Sequence, residues 1–134
     1  MTCIRAATAK TIRIVLVDDA KSVRRALRHI LGAEPDFVVI GEAADGESAM
    51  ALAAALRPDI IVMDFGLPGI NGREAARRIH AAGDAGSIVM LTAFGADETR
   101  AAADTSIALF LEKGDNLDDL AERIRSVHAR NIPR

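Results

Sequence analysis

The stretch Asp59-Ile-Ile-Val-Met-Asp64-Phe-Gly-Leu-Pro68-Gly-Ile-Asn71-Gly72 constrains this chain more than any other. Ile60 to Met63 is an apolar, partly β-branched run, the pattern of a strand buried on both faces. The run ends in a carboxylate, Asp64. A Gly- and Pro-bearing loop follows. Asn71-Gly-Arg-Glu74 then reads as a helix start with a capping side chain. Asp64 therefore sits where a central strand gives way to its loop. In open parallel sheets, ligands bind at that end.

The rest of the chain repeats the pattern. Ile12 to Val17 reads as a first strand running into Asp18-Asp19. Lys21 to Leu31 carries Val23, Leu27, Ile30 and Leu31 at helical spacing, with Lys21, Arg24, Arg25 and Arg28 on other faces and Gly32 as a stop. Phe37 to Gly41 reads as a second strand. Asp45-Gly-Glu-Ser48 opens a helix that runs to Arg57, where Pro58 blocks it. A third helix is expected over Gly72–Ala82, then a strand over Ser87–Leu91 ending at Thr92. An alanine-rich helix is expected over Gly95–Asp104 and a fifth strand over Ile107–Leu111, ending at Glu112-Lys113. Asn116 caps a last helix with Leu117, Leu120, Ile124 and Val127 on one face.

Strands alternating with helices through short links imply an α/β fold: a single five-stranded parallel sheet, right-handed crossovers and helices on both faces. Residues 1–11 read as an N-terminal tail, 12–129 as one domain, and 130–134 as a tail or the start of a linker. A length of 134 residues suits one domain. The net charge of −2 gives no case for a nucleic-acid surface on this domain. No apolar run approaches the ~20 residues of a membrane span, and no secretory signal is visible. Cys3 is the single cysteine, so no internal disulfide can form. A cytoplasmic location fits. His29, His80 and His128 are scattered, without zinc-ligand spacing.

The polar stations now stand together: Asp18, Asp19, Asp64, Thr92 and Lys113 all fall at strand ends, and in a parallel sheet these ends share one edge. Crowded carboxylates repel, and a hard cation such as Mg²⁺ relieves that. A hydroxyl and an ammonium suit an incoming phosphoryl group, and Asp64 is the candidate nucleophile for an acyl phosphate. Each residue alone has a plainer reading. Asp18 or Asp19 could cap the first helix. Thr92 could be an ordinary β-branched strand residue and Lys113 an edge charge. Gly66-x-x-Gly69-x-x-Gly72 lacks the spacing of a phosphate loop and reads as a turn.

These motifs resemble the receiver domain of two-component response regulators. Ile14-Val-Leu-Val-Asp18-Asp19 is similar to that family's acidic pair, and Val62-Met-Asp64-Phe-Gly-Leu-Pro68-Gly-Ile-Asn-Gly72 to its phosphoacceptor strand and loop. Leu91-Thr92-Ala93 resembles its switch hydroxyl, and Phe110-Leu-Glu-Lys113 its switch aromatic and lysine. The resemblance spans about residues 12–129. It implies the flavodoxin-like strand order 2-1-3-4-5. It implies that Asp64 accepts a phosphoryl group from a sensor histidine kinase or phosphotransfer protein. Asp19, Asp64 and the Gly66 carbonyl would hold Mg²⁺, with Asp18 acting through water. Lys113 would contact the phosphoryl oxygens, and Thr92 and Phe110 would be the switch pair. The face of the fourth helix, fifth strand and fifth helix would then change partners, which include an output domain, a target protein or a second copy of the chain. The basic residues of the first helix would lie on the kinase-docking face.

Three positions depart from the family pattern. Ser106-Ile107 stands where Gly-Ala is usual, the Thr92-to-Lys113 interval is slightly short, and Gly114 follows the lysine where many receivers have proline. The competing functions are a receiver that binds without phosphorylation, the N-terminal part of a longer transcriptional regulator, an aspartyl phosphatase, and a flavin-binding flavodoxin. The phosphatase would want a carboxylate two residues after Asp64, where Gly66 stands. The flavodoxin would want aromatics around its ring, and the chain has no Trp or Tyr. The expected protein is not an enzyme beyond weak catalysis of its own phosphorylation and dephosphorylation.

Overall fold

The computed structural model describes residues 11–92, 106–112 and 117–131. The elements are β1 (Ile12–Val17), α1 (Lys21–Gly32), β2 (Phe37–Ala43), α2 (Gly46–Leu56), β3 (Ile60–Asp64), α3 (Gly72–Ala82), β4 (Ser87–Thr92), β5 (Leu109–Glu112) and a C-terminal helix (Leu120–Asn131). A single 3₁₀ turn over Leu117–Asp119 leads into that last helix. All strand pairs are parallel, in the order β2-β1-β3-β4-β5. The helix expected over Gly95–Asp104, Lys113 and the Asn116 cap lie outside the described residues.

Alternation along the strands builds two cores. Ile12, Ile14, Leu16, Ile60, Val62, Val89 and Leu91 face α1 and the C-terminal helix, meeting Leu27, Leu31, Leu120, Ile124 and Val127. Val15, Val17, Ile61, Met63, Ile88 and Met90 face α2 and α3, meeting Ala49, Ala53, Ala75, Ala76 and Ile79. Successive strand residues point to opposite faces, so a continuous apolar run is what a sheet covered on both sides requires.

The capping signals act as their residue types imply. Asp45 accepts from the Ser48 N–H at 2.7 Å and opens α2. Asn71 accepts from the Glu74 N–H at 2.9 Å and opens α3. Arg57 closes α2 in the left-handed region at φ 50, and Gly83 closes α3 at φ 70. The first helix differs from expectation. Its N-cap is Ala20, with no side-chain cap, so neither aspartate caps it. Gly32 is its last residue, and Ala33 beyond it keeps a right-handed conformation, so no glycine cap forms.

Two strands need correcting. β2 was expected to stop at Gly41 and instead runs to Ala43. A bulge explains it: Ile14 pairs with Val39 while Val15 pairs with Gly41, leaving Ile40 as the extra residue. The bulge reverses which residues point which way. Gly41 comes under Leu52 and Leu56 of α2, while Glu42 comes round to α1. The fifth strand was expected from Ile107 and begins at Leu109. Ile107 is buried in the α2–α3 core, and the Ala108 N–H donates to Ile88 at 2.9 Å, but regular pairing starts at Leu109 with Val89.

Candidate functional site

β1, β3 and β4 end together on one edge. Val17 pairs with Met63, so Asp18 and Asp64 follow at the same level. Both continue the alternation that points toward the α1 side. Asp64 pairs with Leu91, and the Phe65 N–H donates to the Leu91 carbonyl at 2.8 Å, which sets Thr92 beside the loop entrance. Asp18, Asp64 and Thr92 are buried, at 1%, 7% and 1% exposure, while Asp19 is exposed. A mouth of one exposed and two buried carboxylates opens on solvent at Asp19.

One carboxylate oxygen from each of Asp18, Asp19 and Asp64 lies within 4.8 Å of the others. Such a set of hard anionic oxygens fits a small divalent cation that keeps some of its waters. Local bonds fix two of the three. The Asp18 N–H donates to the Ala43 carbonyl at 3.1 Å, and Asp18 Oδ1 accepts from the Ala20 N–H at 2.9 Å. Asp64 Oδ1 accepts from the Gly66 N–H at 3.2 Å, folding the loop back over the strand end.

The loop after Asp64 is anchored rather than loose. Leu67 is buried in the α2–α3 core, and Ile70 packs against it. Gly69 takes φ 72, a conformation that suits glycine. Gly72 donates its N–H to the Phe65 carbonyl at 3.1 Å and lies directly on the backbone of residues 64 and 65.

The structure brings together Asp18, Asp19 and Asp64, with Gly66 at the loop and Thr92 at the end of the neighbouring strand. Phe110 pairs with Met90 and is half-buried against the α2–α3 core. Thr92 lies two residues on from Met90, so the two expected switch residues share a face of the sheet. Thr92 pairs with Glu112, the residue before Lys113; Lys113 itself lies outside the described residues. Sequence reasoning missed Arg24 and Glu42. Arg24 was expected on the kinase-docking face with the other basic residues of the first helix, yet its side chain is 16% exposed and bonded to Asp18 and Glu42. The one signal was Gly41, a glycine inside an apolar strand, which marks a bulge as readily as an end.

The chain matches the model of the response regulator receiver domain over residues 14–125. It is 34% identical over 126 residues to a protein-glutamate methylesterase/protein-glutamine glutaminase of Nocardioides, covering 92% of this chain and 34% of that protein. It is 36% identical over 116 residues to the transcriptional regulatory protein LiaR of Bacillus subtilis, covering 86% of this chain and 55% of that protein. The chain thus spans about a third to a half of the length of these curated relatives. The response regulator domain of Thermotoga maritima CheB superposes with a TM-score of 0.82 at 30% identity, over 93% of this chain and all of that one. Among the described residues, no helix is long and apolar enough to cross a membrane.

Proposed function

The chain belongs to the response regulator receiver domain family, and we propose on that basis that it accepts a phosphoryl group on Asp64 and passes the change to a partner. The observation that carries the reading is the convergence of Asp18, Asp19 and Asp64 at the end of the central strand, with ligand oxygens within 4.8 Å of one another.

In this reading an Asp64 carboxylate oxygen attacks the phosphorus of a phosphohistidine on a sensor kinase or phosphotransfer protein. A P–O bond forms as the P–N bond breaks, and the departing imidazole leaves with the electron pair and takes up a proton. Mg²⁺, when bound, neutralises charge on the transferring group. Asp18, Asp19, Asp64 and the Gly66 carbonyl are the residues that would hold it, with Asp18 acting through water. Buried walls around Asp64 strengthen every interaction there. Lys113 is assigned to the phosphoryl oxygens. Thr92 and Phe110 are assigned to the switch. Thr92 reports the phosphoryl group, and the ring of Phe110, on the same face of the sheet, follows it.

The domain as a whole is assigned to residues 12–129, acting in the cytoplasm. Its own catalysis is limited to slow phosphorylation and dephosphorylation of itself. The two curated relatives are longer proteins, which supports an output domain or a target protein as the downstream partner.

Intact mass after incubation with a small phosphodonor tests the reading. One phosphate should add in the presence of Mg²⁺ and be absent in excess chelator. Asp64→Asn should stay unmodified. Full labelling of Asp64→Asn would remove Asp64 from the role.

A further inference from the structure

We propose that Arg24 is a positioning residue for the acidic pair, held in place by Glu42. The inference deepens the phosphoacceptor reading and rests on it.

Arg24 lies in the first turns of α1 and reaches two places at once. Its Nη1 donates to the Asp18 main-chain carbonyl at 2.6 Å. Its Nε donates to Glu42 Oε1 at 2.9 Å. The other oxygen of Glu42 accepts from Arg28 Nε at 2.6 Å. Both oxygens of Glu42 are thereby committed, and the two guanidinium groups hold its carboxyl below the usual range, Arg28 more strongly than Arg24. The side chain of Arg24 is 16% exposed, against 50% for Arg28. An exposed ion pair contributes little, but this one is largely covered and one arm ends on the main chain.

The Asp18 carbonyl belongs to the peptide that leads into Asp19. Peptide planes are rigid, so fixing that oxygen fixes the plane from which Asp19 departs. The other side of Asp18 is fixed too, by its N–H on the Ala43 carbonyl at 3.1 Å. Residues 42 and 43 at the end of β2 thus grip residue 18 from both sides, directly through Ala43 and through Arg24 from Glu42. The bulge at Ile40 makes this possible, because without it Glu42 would project toward α2. Partners of metal-binding carboxylates orient them, and losing such a partner commonly weakens the metal.

Charge alone predicts the opposite sign. Arg24 is a cation beside a cation site, so removing it should tighten Mg²⁺ if it only repels. Positioning predicts weakening, and the two readings separate cleanly.

The test is calorimetric titration with MgCl₂ of the folded wild type, Arg24→Ala, Arg24→Lys and Arg28→Ala, with the Asp19 amide resonance followed by NMR. Arg24→Ala should weaken Mg²⁺ roughly tenfold. Arg24→Lys keeps the charge but cannot serve both acceptors, and should weaken it by an intermediate amount. Arg28→Ala removes a neighbouring charge without touching Asp18 and should stay within about twofold of wild type. The Asp19 amide should shift in both Arg24 variants before any Mg²⁺ is added. With a small phosphodonor, the Mg²⁺ concentration for half-maximal rate should rise while the rate at saturation holds. Equal or tighter Mg²⁺ binding by Arg24→Ala overturns the proposal. Should Arg24→Ala not fold, wild-type affinity in Arg24→Lys overturns it instead. A wild type that takes no Mg²⁺ overturns the acceptor reading and this inference with it, whereas wild-type binding with unaffected variants overturns this inference alone.

Discussion

Gly72 lies against the main chain of Asp64 so closely that a Cβ at residue 72 would stand 2.3 Å from the Asp64 carbonyl oxygen and 3.0 Å from Phe65 Cα. Both neighbours are backbone, so nothing can swing aside. The first turn of α3 is therefore packed onto the strand end that presents Asp64. Any side chain at 72 must move either the helix or Asp64.

Gly72→Ala should destabilise the fold by about 1–3 kcal/mol, the usual range for overpacking. It should also slow labelling by a small phosphodonor at saturating Mg²⁺, since the Asp64 carboxylate, the proposed acceptor, would be displaced. Gly32→Ala is the control, because a Cβ there meets nothing within 4 Å. Chemical denaturation and labelling rates on both variants check this. Wild-type stability in Gly72→Ala would show that the contact relaxes freely.

The basic surface of α1 that would face a kinase is narrower than its charge count suggested. Arg24 and Arg28 are drawn to Glu42, and Arg24 also to Asp18. The exposed residues of α1 are Lys21, Ser22, Arg25, Ala26, Arg28, His29 and Gly32, and of these Arg28 is tied to Glu42. Lys21→Glu combined with Arg25→Glu should reduce transfer from the cognate kinase about tenfold or more, as charge reversal at a docking surface does. Labelling by a small phosphodonor should not change. Equal loss with both donors would point to damage to the fold and leave docking on α1 without support.

Much of this arrangement was legible in the sequence because the deciding interactions are local. Asp45 and Asn71 cap helices three residues ahead of them, and the run Ile60–Met63 declares a doubly covered strand by composition alone. Asp18 and Asp64 were placed correctly because parallel strands deliver their ends to one edge. What stayed hidden depends on distant partners. Arg24 meets a residue eighteen positions away, and only after a bulge has turned that residue over. No helix periodicity reveals that. The start of β5 was missed for a related reason. Ile107 is as apolar as a strand residue and is buried like one, yet the ladder begins two residues later.

Acid should loosen the end of the sheet opposite Asp64. Arg125 of the C-terminal helix donates from Nε and Nη2 to both oxygens of Asp36, at 2.8 and 2.7 Å, and its guanidinium lies 4.9 Å over the Phe37 ring. The Arg125 hydrogen bonds hold the Asp36 carboxyl below its usual range, against a smaller opposing effect of burial. A depressed native pKa stabilises the fold fully above the unfolded value and loses that contribution as pH falls through the native one. Asp36→Asn should therefore cost about 0.5–1 kcal/mol near neutral pH, the range for a partly exposed pair. The gap to wild type should close once pH falls below the ordinary carboxylate range. Thermal unfolding of both proteins across pH measures it, and a gap independent of pH would contradict the assignment.

The phosphorylated form should be long-lived. Hydrolysis needs a water in line with the phosphorus, and if Asp64 is the acceptor, polar side chains two residues after Asp64 and two after Thr92 would be well placed to orient it. Those positions are Gly66 and Phe94, neither of which has a side-chain donor or acceptor. One missing positioning hydrogen bond is worth ~1–1.5 kcal/mol, or roughly tenfold in rate. Gly66→Asn with Phe94→Glu should speed the decay of label several-fold at constant Mg²⁺ and without kinase. Decay at the wild-type rate in the folded double variant would remove both positions from control of the lifetime.

The most direct test of the account asks which atom carries the phosphoryl group. Borohydride reduces an acyl phosphate to the alcohol, so a phosphorylated aspartate becomes homoserine and can be located by peptide mass spectrometry. After labelling with Mg²⁺ and a small phosphodonor, homoserine should replace aspartate at residue 64 and nowhere else. Its appearance at residue 18 or 19 with residue 64 unchanged would contradict the assignment of Asp64 as the acceptor.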